Sequence, residues 1–246
     1  MSAANETPTD THTSGPSPGR TLAIARLVAR KDIRVEWRSR VLTNQVLPFA
    51  GVVMVMFGFA LDDQSVLQRV APGLIWMATL FSVLIITQRV FAVETADGAL
   101  DALRVAGVSP AGVFLGKAIA LIVQLLALDF VLLLLALVLY RSEVTGMAQA
   151  VLLVTTVVAA ACGLAFVGTL YGGLAAGAKG RETLLPLLML PVVAPVLIGA
   201  TRATEAALTV GGITMREGWA WVGLLAGFAV LGAIGGIASF GAMVEE

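Results

Sequence analysis

Six long apolar stretches, separated by short polar segments, dominate the pattern of the chain. They lie near residues 45–61, 70–91, 113–140, 147–176, 184–200 and 219–243. A membrane-spanning helix needs about 20 apolar residues, and about 17 can suffice. The pattern therefore predicts six membrane-spanning helices. The first and fifth stretches are short for a span, and Pro186, Pro191 and Pro195 predict a kink or a break in the fifth.

A segment of different character precedes the first span. Residues 1–20 are rich in Ser, Thr, Pro and Gly, which predicts a disordered cytoplasmic tail. From residue 22 to residue 40, an arginine recurs at every fourth position of a helical pattern that has two apolar sides. The arginines are Arg26, Arg30, Arg34 and Arg38; the apolar sides hold Ile24, Val28 and Val35, and Leu22, Ile33 and Trp37. This pattern predicts an amphipathic helix at the membrane surface, and the alternative is a basic segment that only sets orientation.

Composition agrees with a membrane protein. Hydrophobic residues make up 58% of the chain and charged residues 13%, whereas a soluble domain has about 45–50% and about 25%. A soluble enzyme and a disordered protein are thereby excluded. The 16 basic and 16 acidic residues cancel, so no excess positive charge points to nucleic acid. Residues 21–246 are predicted to form one six-span, all-α membrane domain.

Basic residues are distributed unequally between the two sides of the predicted bundle. If the N-terminus is cytoplasmic, 12 of the 16 Lys and Arg residues lie on the inner side. The remainder are Arg69, Arg141, Arg202 and Arg216. Cytoplasmic loops carry an excess of Lys and Arg, so we expect both termini in the cytoplasm.

Residues for catalysis are missing from the pattern. The stretch GVFLGKA at residues 112–118 is one residue too short between its glycines for a P-loop and ends in Ala. We interpret it as a helix start with an interfacial lysine. The only histidine is His12 in the tail, so imidazole-based catalysis within the membrane is excluded. We expect no enzyme activity and assign no residue to a cofactor or a metal.

Asp129 lies in the middle of the third predicted span. A charged residue at that depth costs about 3 kcal/mol on insertion scales. It must therefore face the bundle interior or be protonated, with Thr79, Ser82 or Thr155 as candidate partners. Two interpretations remain open: a polar point on a substrate path, or a buried acid bonded to a neighbouring helix.

The inner connection at residues 94–110 is the best candidate for function. Asp97 can cap a helix at residues 99–105, and Gly107 and Pro110 follow its end. Such a helix is too short to span the membrane. It would present an apolar anchor pair with a charged rim to another protein; the alternative is a plain loop on the headgroups. The candidate residues are Glu94, Asp97, Leu100, Asp101, Leu103 and Arg104.

Three stretches of the sequence resemble the CcmB family of cytochrome c maturation permeases, which have the ABC-2-type exporter layout. They are KDIRVEWR at residues 31–38, RVAPGLIW at 69–76 and DGALDAL at 97–103. Residues 181–200 are similar to the family's fifth span. The resemblance covers the chain from about residue 22 to its end.

The resemblance implies a permease subunit of an ABC transporter in the bacterial inner membrane. A separate CcmA-like ATPase would dock on residues 97–106, the coupling helix, and drive heme export or release of a heme-loaded carrier. It also implies a CcmC-like heme-handling protein and a small CcmD-like subunit. With no histidine in the membrane, we expect a partner to ligate heme. The alternative is an ABC-2-type permease for a drug, polysaccharide or lipid. Glycines four residues apart allow close helix packing and a possible homodimer.

Overall fold

Helices form almost all of the chain that can be described. The computed structural model describes residues 18–61, 63–96, 108–141, 144, 146–176 and 181–245. The helices are α1 (Pro18–Ser39), α2 (Leu47–Ala60), α3 (Gln64–Ala96), α4 (Pro110–Leu139), α5 (Met147–Ala176), α6 (Arg181–Ala207) and α7 (Met215–Glu245). A π-helical segment, Leu42–Val46, precedes α2.

Six helical segments of the described chain are long and apolar enough to cross a membrane, and the first of them joins the π-helical segment to α2. Their candidate spans are Leu42–Ala60, Gln64–Ala92, Pro110–Leu139, Met147–Ala176, Thr183–Ala207 and Met215–Phe240. The predicted all-α, six-span class is therefore confirmed. The helix predicted before the first span is α1, which begins at Pro18. Residues 18–20 of the predicted disordered tail are instead the first residues of α1. The rest of the tail lies outside the described residues and stays a prediction.

The fifth span differs from its prediction. It is neither short nor broken, because α6 continues through Pro186, Pro191 and Pro195 and is 27 residues long. The apolar segment 203–213 belongs in part to the same helix. Its first five residues are the last residues of α6, and Thr209 and Gly211 then turn the chain at positive φ. The hydrophobic core of the bundle continues into α6 through Met189, Val193 and Val196.

The contacts of α1 place it at one end of the helix bundle. α1 packs against the first turns of α4, and α3 ends near the same level, where its Phe91 contacts Gly172 close to the end of α5. Gly173 of α5 also approaches Phe240, near the end of α7. We call this end, where residues 97–107 and 177–180 connect helices, the α1 end.

The spacing of the glycines predicted close helix packing, and the structure confirms it at some of these glycines but not at others. A Cβ at Gly232 would lie 3.2 Å from Phe166 Cβ, and one at Gly236 would overlap the Phe114 ring. Gly223 and Gly227 face open space instead. These two glycines contact no other helix in the described part of this chain.

Candidate functional site

The predicted coupling helix connects two helices that the structure describes. Asp97, Leu100, Asp101, Leu103 and Arg104 lie outside the described residues, so their role stays a prediction. Glu94 lies in the last turns of α3, which ends at Ala96. α4 begins at Pro110 after Ser109, a buried residue whose Oγ accepts a hydrogen bond from the Gly112 N–H at 3.4 Å. The α1 end is therefore where residues 97–107 meet α3 and α4.

Two glycines at the start of α4 allow α1 to lie directly against it. A Cβ at Gly112 would lie 2.8 Å from Ile24 Cγ2, and one at Gly116 would lie 2.6 Å from Val28 Cβ. At Gly116 the added atom would also lie 2.7 Å from the Ala25 carbonyl oxygen, which belongs to the backbone. Small residues allow helices to approach this closely. The glycines of GVFLGKA thus serve helix packing between α1 and α4.

Lys117 is the polar centre of this contact. Its Nζ lies 3.5 Å from Asp32 Oδ2 on α1 and 5.0 Å from the centroid of the Phe91 ring on α3. Lys31 Nζ lies 3.0 Å from the other oxygen, Asp32 Oδ1. Lys117 is only 3% exposed and Asp32 9%. The sequence predicted a lysine near a helix start, and the structure adds that α1 and α3 cover it; its place at the membrane interface stays a prediction.

A small cavity lies beside the ion pair. Asp32, Thr87, Phe91, Lys117 and Gln124 contribute to its wall, and its volume is about 10 Å³. Within the described chain, Thr87 Oγ1 and Gln124 Oε1 are buried without a hydrogen-bond partner. A cavity of this size is near the lower limit for one water molecule.

A second polar contact joins α3 and α4 deeper in the bundle. Asp129 is fully buried, and its Oδ1 accepts a hydrogen bond from Thr79 Oγ1 at 2.6 Å. This is the contact expected of a buried acid bonded to a neighbouring helix. On the same helix as Thr79, Trp76 Nε1 donates to Thr204 Oγ1 of α6 at 2.9 Å. Polar contacts therefore fix α3 to both α4 and α6.

The predicted surface-helix residues lie on the outer side of α1. Arg26, Arg30, Arg34 and Arg38 are exposed, and Trp37 is 82% exposed. Val28 is buried against α4, whereas Leu22 is exposed. The apolar side of α1 that holds Val28 thus packs partly on the bundle. On the other apolar side, Leu22 and Trp37 remain exposed. Where the headgroups lie stays a prediction.

The geometry of this site connects helices to one another. Among the described residues, no group of three or more His, Cys, Asp or Glu side chains could hold a metal. What the site provides is a mechanical connection. α1, α3 and α4 meet through a buried ion pair and an aromatic ring near the connection at residues 97–107. A displacement of that connection would therefore move helices that are attached to one another.

Sequence reasoning missed the pairing of Lys117 with Asp32. The two residues are 85 positions apart, and each has an ordinary explanation in its own segment. The available signal was a lysine flanked by apolar residues, whose partner had to be an acid on an adjacent helix. Only the packing of α1 on α4 identifies that acid.

Comparison with known proteins assigns the chain to a family. The family described as CcmB protein matches residues 23–244. Heme exporter protein B of Rhodobacter capsulatus is 31% identical over 175 residues, 70% of this chain and 78% of the relative. Heme exporter protein B of Escherichia coli K12 is 31% identical over 181 residues, which are 73% of this chain and 81% of the relative. The protein of the same name from Pseudomonas aeruginosa is 29% identical over 193 residues, which are 74% of this chain and 81% of the relative. With its six spans, this chain is a multi-pass membrane protein that belongs to the CcmB family.

Proposed function

We propose that this chain is the permease subunit of an ABC transporter for cytochrome c maturation. The observation that carries the proposal is the family match over residues 23–244, together with relatives named heme exporter protein B. The chain itself is not the enzyme. A CcmA-like ATPase would hydrolyse ATP, and the complex would export heme or release a heme-loaded carrier.

Coupling would pass through residues 97–106. Leu100 and Leu103 would anchor the ATPase, and Asp97, Asp101 and Arg104 would form the charged rim. Movement of this segment would be transmitted to α3 and α4, because both helices continue directly from it. The ion pair of Lys117 with Asp32 would carry α1 along with them.

The location that fits this function is the bacterial inner membrane, with the α1 end in the cytoplasm. Most of the basic residues lie in the segments of that end, which agrees with the positive-inside tendency. The ATPase would dock there, and both chain termini would lie on the same side. Heme would leave on the opposite side.

Heme would be ligated by a partner rather than by this chain. The single histidine, His12, lies far outside the six spans, so an imidazole ligand from the spans is ruled out. A CcmC-like heme-handling protein would hold the iron, and a small CcmD-like subunit would complete the assembly. Stoichiometric, tightly ligated heme on this subunit purified alone would contradict this assignment.

The test removes the proposed anchors. Leu100→Asp with Leu103→Asp should abolish co-purification of the ATPase and the c-type cytochromes of the host, because two charges would enter an apolar contact. Leu100→Met with Leu103→Met is the matched control, since it keeps an apolar anchor, and should retain both. ATPase binding that survives the two aspartates refutes the coupling assignment. Unchanged c-type cytochromes after deletion of the whole chain would instead favour a permease for another cargo.

A further inference from the structure

An apolar groove follows the outer side of α1. Its volume is about 720 Å³, and it is open along one side. The apolar wall consists of Leu22, Ala25, Ala29, Ile33 and Trp37 of α1 and Ile119 of α4. The groove is thus formed where the surface helix meets a membrane-spanning helix.

The four arginines of α1 line the same groove. Each follows an apolar wall residue by one position, as Arg30 follows Ala29 and Arg34 follows Ile33. Residues four apart are rotated by about 40° on a helix of 3.6 residues per turn. The apolar and basic stripes therefore wind together and stay side by side. From Arg26 to Arg38 they extend for about 18 Å at 1.5 Å per residue.

This positive charge is uncompensated within the described part of the protein. None of the four arginines forms an ion pair there, whereas Asp32 is engaged by Lys31 and Lys117. Glu36 is also engaged, since its Oε1 accepts the Leu42 N–H at 2.6 Å. Like charges four residues apart on a helix repel one another. An anion placed along the stripe would lower that repulsion.

The apolar side of the groove continues onto the membrane-facing surface of α4. Ile119 is 41% exposed, and Val123 and Phe130 are exposed further along the same helix. Trp37 is the aromatic type that concentrates at the boundary of the membrane and water. A ligand of this groove therefore has its charge at the arginines and its apolar part along α4.

We propose that this groove binds one anionic phospholipid. The phosphate lies at the arginine stripe, and an acyl chain lies on Ile33, Ala29 and Ile119 and continues along α4. The bound lipid places one negative charge against the stripe, which lowers the repulsion among the arginines, and fills the space between α1 and α4. It thereby stabilises α1 on the helix that holds Lys117. This proposal rests on the membrane location of the chain and not on its cargo.

The test is native mass spectrometry of the full-length protein in a neutral detergent, titrated with phosphatidylglycerol or phosphatidylcholine. The wild type should retain one phosphatidylglycerol in preference to phosphatidylcholine. Arg30→Gln with Arg34→Gln should raise the half-saturating phosphatidylglycerol concentration about 30-fold, since each basic residue near an anionic lipid contributes slightly more than fivefold. Arg30→Lys with Arg34→Lys should retain binding.

The matched control removes the same charge at the opposite end of the bundle. Arg141 and Arg216 are exposed there, and Arg141→Gln with Arg216→Gln should leave lipid retention unchanged. Circular dichroism of all variants checks that the helices form. Excess inorganic phosphate should not displace the lipid, because the acyl chain contributes to binding. Equal retention of the two lipids by the wild type, or full retention by the Arg30, Arg34 glutamine variant, overturns the proposal.

Discussion

The buried ion pair of Lys117 with Asp32 makes the sharpest prediction about this fold. Removing one partner of a buried pair costs about 3–5 kcal/mol, because the other charge is left uncompensated. Lys117→Met leaves Asp32 with Lys31, which is 49% exposed, so we expect the lower end, about 3 kcal/mol. Asp32→Leu leaves the Lys117 ammonium near the Phe91 ring, and we again expect about 3 kcal/mol.

The double variant separates the energy of the interaction between Lys117 and Asp32 from the effects of the two single substitutions. Replacing both partners of a buried ion pair by apolar residues is often neutral, so Asp32→Leu with Lys117→Met should cost no more than about 3 kcal/mol. Independent effects would give about 6 kcal/mol, so the coupling energy should be at least about 3 kcal/mol. The free energy of unfolding in mixed micelles with increasing dodecyl sulfate measures each variant.

The chain offers its own control for this cycle. Arg202 Nη1 lies 3.0 Å from Glu205 Oε2, with the Arg202 side chain 51% exposed. An exposed pair of this kind should couple by less than about 1 kcal/mol. The costs of the Asp32 and Lys117 substitutions could instead be additive, or their coupling energy could be no larger than that of the control pair. Either result would refute a buried ion pair between Lys117 and Asp32.

Two further predictions concern the contacts of α4. Thr79→Val removes the donor to Asp129, whose other carboxyl oxygen already has no hydrogen-bond partner in the described structure. The free energy of unfolding should fall by about 2 kcal/mol and recover in Thr79→Ser; a valine variant as stable as the wild type would contradict the contact. Gly116→Ala should cost about 1–3 kcal/mol, because its Cβ meets backbone as well as side-chain atoms of α1. Hydrogen exchange should then be faster in α1 while α5 is unchanged, and equal protection of α1 would show that it does not lie against Gly116.

The coupling segment shows where sequence reasoning was sufficient and where it was not. Its place between two spans follows from hydropathy, because the connection is bounded by long apolar stretches. The helices that it moves, and what holds them together, do not follow from the same pattern. The third span is apolar on nearly all its sides, so the sequence does not show which side faces α1.

The fifth span shows a second limit. Three prolines predicted a kink or a break, and the α6 helix continues through all of them without a break. A proline removes one backbone N–H and crowds the preceding turn, but neighbouring helices can compensate in a bundle. Thr204, on the last turns of α6, contacts Trp76 of α3. Whether such support exists depends on the packing and not on the local residues.

By itself, the sequence determined the six spans, the surface helix that precedes them and the scarcity of catalytic groups. These features depend on hydropathy and on helix periodicity, which act over neighbouring residues. Only the tertiary structure decided that Lys117 is buried against Asp32, that Gly116 admits α1, and that Thr79 is the partner of Asp129. Each of these contacts joins residues far apart in the chain. They form because particular helix faces pack together, and an evenly apolar sequence does not specify those faces.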